Sequence, residues 1–133
     1  MKTRLRGIAI CAAFVLPLLA HHSVQAEYDT SKEITIQGRA TWVEWMNPHA
    51  IVWLEVTNSD GTITPWQFEL APPNAMVRKG LRRDFVKDGD LVTVDCWQAK
   101  DGAKLAHAST FHLPDGRSIE FPRAWPGWTS ILK

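Results

Sequence analysis

The sequence predicts a mainly β protein built as one small domain. Three observations carry that prediction. Alternating runs rich in β-branched and aromatic residues dominate everything after residue 32, short turn signals separate them, and only one segment, near residue 75, reads as a helix. A length of 133 residues, 45% hydrophobic and 22% charged, suits a single globular domain. It leaves no room for a doubly wound nucleotide fold or a repeat array.

Residues 33–45 (EITIQGRATWVEW) form the first strand, and Gly38 in its middle marks a bulge or sharp bend. Met46-Asn47-Pro48-His49 interrupts it, because proline cannot donate to a central ladder. Residues 50–57 are the second strand, ended by the Asn58-Ser59-Asp60-Gly61 turn. Residues 62–70 are the third, with Trp66, Phe68 and Leu70 on one face, and the three make a meander. Asn74 is placed to cap a short helix at 75–79, which Gly80 closes in the left-handed conformation. Residues 81–85 form a second turn or an irregular connection. The Lys87-Asp88-Gly89-Asp90 turn leads into strand 91–99, and Asp101-Gly102 turns the chain into strand 104–113. A last turn at Pro114-Asp115-Gly116-Arg117 precedes SIEF. This element order is that of a five- to six-stranded OB-like barrel with its helix between strands three and four. An immunoglobulin-like sandwich requires about seven strands and no helix there. The seven Trp residues then serve mostly as core and cover.

Residues 1–26 carry Lys2, Arg4 and Arg6 and no acid, then an apolar run (GIAICAAFVLPLLA), then a polar stretch ending Val24-Gln25-Ala26. These are the three parts of a cleavable secretory signal. The apolar run falls short of the roughly 20 residues needed for a permanent spanning helix. The expected organisation is therefore a signal over 1–26, with cleavage after Ala20 as the alternative, and a single β-barrel domain over 27–133 in the periplasm or secreted, with no stable transmembrane anchor. The chain beyond residue 26 carries 12 basic against 14 acidic residues, formally −2. That balance gives no footprint for nucleic acid. Cys11 leaves with the signal, and Cys96 stands alone on the parity of Val92 and Val94, reading as a buried small hydrophobe.

AHHS at 20–23, EYD-x-x-K at 27–32, W-x-NPHA at 45–50 and W-x-x-E at 66–69 occur together with PPN at 72–74, GDLVTV at 89–94, AKDG at 99–102 and LPDGR at 113–117. This set resembles the domain-of-unknown-function 6152 family of small exported bacterial proteins, over nearly all of the mature chain. The resemblance implies export and carries no activity. Val24 stands where the family pattern has an aromatic residue after AHHS.

No G-x-S-x-G elbow, phosphate loop, CxxC pair or HExxH occurs, so no motif announces an enzyme. The most informative residue is His49, at the connection between strands one and two, where an OB-like barrel exposes a binding loop. Trp45, Asn47, His49 and Glu69 are the candidate ligand- or partner-binding residues. Cleavage after Ala20 would leave His21 first, its amine and imidazole able to close on one metal ion. His21, His22 and His49 are accordingly the candidate metal ligands and copper the candidate cofactor, whereas cleavage after Ala26 removes the first two. His107 and His112 differ in parity, which on a regular strand sends them to opposite faces, as structural or solvated residues. The basic run Arg78, Lys79, Arg82, Arg83 and the tail residues Trp125 and Trp128 are candidate docking features. Two function classes remain: a binding module with a small ligand at the His49 loop, and an accessory or structural protein that docks on another exported protein.

Overall fold

The structure, a computed structural model, describes residues 23–121. Its order is α1 (Val24–Glu27), β1 (Ile34–Glu44), β2 (Ile51–Thr57), β3 (Ile63–Glu69), α2 (Pro73–Arg78), a 3-10 turn (Arg83–Phe85), β4 (Leu91–Gln98), β5 (Leu105–His112) and β6 (Ser118–Glu120). Neighbouring strands run β3-β2-β1-β4-β5-β6, and a parallel pairing of β3 with β5 closes the first five into a barrel. The mainly β, OB-like prediction holds, with β6 as the extra strand.

Alternation builds the interior. Val52 and Leu54, Trp66 and Phe68, Val92, Val94 and Cys96, and Ala106, Ala108 and Phe111 are all buried in one core. Cys96 shares the buried face of Val92 and Val94, as its parity predicts, and its thiol meets the Ile34 carbonyl at 3.5 Å. α2 lies between β3 and β4 and puts the fully buried Met76 into the same core.

Three local expectations are corrected. Asn74 does not cap α2: Pro72 occupies that position, with Pro73 opening the helix, and Ala75 and Met76 donate to the Pro72 carbonyl. Proline at the first helical position needs no partner for an N–H it lacks, so the helix starts earlier than the polar cap suggested. Gly80 does close the segment, at φ +86°. The β1 bulge falls at Thr41, between Ala40 and Trp42, and not at Gly38. Gly38 answers a different need: a Cβ there would stand 2.8 Å from the Glu55 carbonyl oxygen and 3.1 Å from the Leu54 Cβ, where β1 crosses β2 at close range.

The third correction concerns the histidines. Asp95 pairs with Thr110 but the next residue, Cys96, pairs with Ala108, which makes Ser109 an extra residue in β5. That bulge reverses the alternation. His107 opposes Trp97 and His112 opposes Thr93, both outside the barrel, so the two histidines share the outer face. The Trp residues divide in the same way: Trp66 and Trp97 are buried, whereas Trp42 and Trp53 pair across β1 and β2 on the outside, with Trp42 58% exposed.

Candidate functional site

A polar cluster forms where β3 and β5 close the barrel. Glu69 and His107 are register partners across that seam, which sets their side chains next to each other on the outer face. Tyr28 is carried there by its bridge to Ala99 and by the hydrogen bond from Asp29 N to the Gln98 carbonyl. Its hydroxyl donates to Glu69 Oε2 at 2.6 Å, and its ring meets His107 edge-on with centroids 5.6 Å apart. His49 arrives from the β1–β2 loop, behind the cis Asn47–Pro48 bond, and holds Nδ1 3.1 Å from Glu69 Oε1 and 3.2 Å from the Leu70 carbonyl oxygen. Glu69 is thus the hub, with one oxygen on Tyr28 and the other on His49.

These contacts fix the chemistry of His49. A backbone carbonyl only accepts, so Nδ1 is the donor toward Leu70, and Nε2 is the ring nitrogen left to face a ligand. A carboxylate or carbonyl behind one ring nitrogen is the arrangement that orients a histidine whose other nitrogen takes a ligand. The His49 side chain is 33% exposed and Glu69 19%, so the pair is open to solvent.

His107 lies behind them, 1% exposed and stacked on Trp97 at 5.9 Å. Its Nδ1 is buried, and no described residue hydrogen-bonds to it. Burial pushes its pKa down to about 4, with the Ala108 backbone offsetting part of the fall and the His49 ring adding to it. A buried, neutral imidazole is the result, where the sequence suggested a structural or solvated one. Burial likewise raises the Tyr28 phenol, and the hydrogen bond and negative charge of Glu69 raise it further.

The sequence-predicted residues separate here. His49 and Glu69 come together. Asn47 is exposed on the same loop, while Trp45 turns to Phe85 (centroids 6.5 Å) and packs on the core. His21, His22, Trp125 and Trp128 lie outside the described residues. Among the described residues no three His, Cys, Asp or Glu side chains converge in a way that would hold a metal ion. Tyr28 and His107 were missed as site residues. Nothing in the sequence brings Tyr28 to Glu69, and the signal for His107 is hidden by the bulge at Ser109.

A second cluster was also invisible in the sequence. His112 places Nε2 2.7 Å from Asp95 Oδ2 and Nδ1 2.9 Å from Ser118 Oγ, while Thr35 donates to Asp95 Oδ1 at 2.6 Å. Burial raises the Asp95 carboxyl, but the hydrogen bonds from His112 and Thr35 outweigh it and hold it below the usual carboxylate range. The residue types are those of a nucleophilic relay. The setting is an open strand face, with His112 44% exposed, and the array clasps β1, β4, β5 and β6 together.

No helix among the described residues is long and apolar enough to cross a membrane. No curated protein matches the sequence. The chain is similar to the crystal structure of the mitochondrial single-stranded DNA binding protein Rim1 from S. cerevisiae, at 14% identity and a TM-score of 0.48, over 62% of this chain and 93% of that one. The model of a family of unknown function, DUF6152, matches residues 9–108, and the chain belongs to that family.

Proposed function

We propose that this protein is an exported binding module that takes a small ligand at the Asn47-Pro48-His49 loop, with His49 and Glu69 as the recognising groups. The observation that carries the reading is the convergence of Tyr28 and His49 on opposite oxygens of Glu69. It leaves His49 Nε2 as an oriented acceptor for a ligand N–H or O–H, with exposed Asn47 on the same loop. The export half rests on the tripartite segment at the N-terminus, and places the protein in the periplasm or outside the cell. The partner is a small molecule or another exported protein, not nucleic acid. The test is protein-observed NMR, recording backbone amide shifts as a set of small polar fragments is added to the wild type and to His49→Ala. Binding that perturbs the Asn47, His49 and Glu69 amides and disappears in His49→Ala supports the reading. Fragments that bind elsewhere, or equally in both proteins, overturn it.

A second reading is copper binding by His21, His22 and His49. The observation favouring it is the seat of Tyr28, bonded to the carboxylate that also meets His49, with His22 and His21 six and seven residues before it in the sequence. A lone histidine holds copper poorly, whereas three or four nitrogens hold it well. Intact mass of the periplasmic protein decides whether it starts at His21 or Glu27. A chain starting at Glu27 removes this site; one starting at His21 should bind Cu2+ more tightly than its His49→Ala variant.

A further inference from the structure

We propose that the open edge of β1 at residues 41–44 binds an acidic, extended segment of another protein by accepting it as an added strand. β1 is 11 residues long, but β4 pairs only with Ile34–Arg39, and the loop before β4 continues the ladder only as far as Ala40. Beyond that point, among the described residues, β1 is paired on its β2 side alone. Unpaired strand edges are templates for another chain.

The edge is open because residues 82–88 stand off from it. Between them runs a groove of about 590 Å³, lined by Ala40 to Val43 on one side and by Arg82, Arg83, Asp84, Val86, Lys87 and Asp88 on the other. One edge group already takes a donor from a side chain: Arg83 Nη2 reaches the Val43 carbonyl oxygen at 3.3 Å, with the guanidinium 5.5 Å from the Trp42 ring centre. That carbonyl therefore points into the groove. A backbone N–H of an incoming strand would replace the guanidinium there. The four free residues span about 13 Å, enough for four residues of peptide.

The occupant's chemistry follows from the charges. Arg82, Arg83 and Lys87 line the groove against Asp84 and Asp88, and Arg78 and Lys79 extend the basic surface along the end of α2. All five basic side chains are exposed, and no ion pair among the described residues involves them. An acidic strand fits: its backbone takes the edge, its carboxylates take the arginines released or already free, and its apolar residues lie on Trp42. No groove residue belongs to the His49 site, so the two proposals fail independently.

The test uses a fluorescent eight-residue peptide of alternating glutamate and valine, with chemical shifts recorded on the full domain. The expected result is saturable binding that shifts the amides of residues 41–44. It should weaken at least tenfold in the Arg82→Glu/Lys87→Glu double variant and be lost when alternate peptide nitrogens are methylated. Far-UV circular dichroism of the double variant confirms that it folds. Equal binding of the N-methylated peptide overturns strand addition. Equal binding of a peptide with lysine in place of glutamate overturns the acidic partner. A thymidine oligonucleotide that binds more tightly than the acidic peptide shows that the groove reads phosphate charge and overturns the proposal, as does the absence of binding.

Discussion

Replacing Tyr28 by Phe removes one oxygen and tests the hub of the site. The Tyr28–Glu69 hydrogen bond is short, 2.6 Å, its acceptor is a carboxylate, and Tyr28 is 1% exposed. A hydrogen bond to a charged group contributes about 1.5–3 kcal/mol, and a charge-assisted bond is about twice as strong as a neutral one. Glu69 keeps 19% of its side chain in solvent, so water recovers part of the loss and the lower half of that range applies. The expected cost is about 1.5–2 kcal/mol, with ring packing on His107 preserved. Urea unfolding reads this as a drop of about 1 M in midpoint at unchanged slope, for a small domain with a slope of about 1–2 kcal/mol per M. A double-mutant cycle with Glu69→Gln isolates the pair: the Tyr28→Phe loss should fall to less than half when the acceptor is neutral. Because the folded phenol titrates above its unfolded value of about 10, its contribution is complete below that pH and is lost as pH rises beyond it. The Phe variant should lack this alkaline loss. A cost below about 0.3 kcal/mol, or the same cost in both Glu69 backgrounds, refutes the reasoning.

Three further outcomes are expected at other positions. His107 has a folded pKa of about 4 against an ordinary value of 6.5, so the unfolded chain binds the extra proton between them. Stability is then complete above about pH 6.5 and falls toward pH 4 by roughly 3 kcal/mol, and His107→Leu should flatten that stretch of the urea-midpoint profile. Gly38→Ala puts a methyl group 2.8 Å from the Glu55 carbonyl oxygen; overpacking of about 1–3 kcal/mol outweighs the roughly 0.4–1 kcal/mol gained in the unfolded chain, and calorimetry should show a lower Tm. An unchanged or raised Tm there contradicts the close approach of β1 to β2. Burial, with the charges of Asp95 and Glu33 adding to it, pushes the Cys96 thiol up to about 12, so a thiol reagent at neutral pH should label it only after denaturant is added.

Period and punctuation determined much of this protein. The strand limits, the inward set Trp66, Phe68 and Leu70, the buried Cys96 and the helix between β3 and β4 all follow from alternation and from Gly, Pro and Asn-rich turns, which act over a few residues. His49 and Glu69 were legible as a loop residue and a rim residue, because proline fixes the one and parity the other. Tertiary structure decided whatever depends on register. One extra residue at Ser109 moved His107 and His112 onto the same face, and the bulge at Thr41 put Trp42 beside Trp53 on the outside. Such a bulge leaves composition unchanged while inverting every side chain beyond it. The meeting of Tyr28, His49, Glu69 and His107 joins parts of the chain up to 79 residues apart, Tyr28 to His107, through a parallel β3–β5 closure. No local pattern encodes that pairing; it exists because a five-stranded sheet this strongly curved must close on itself to bury its inner face.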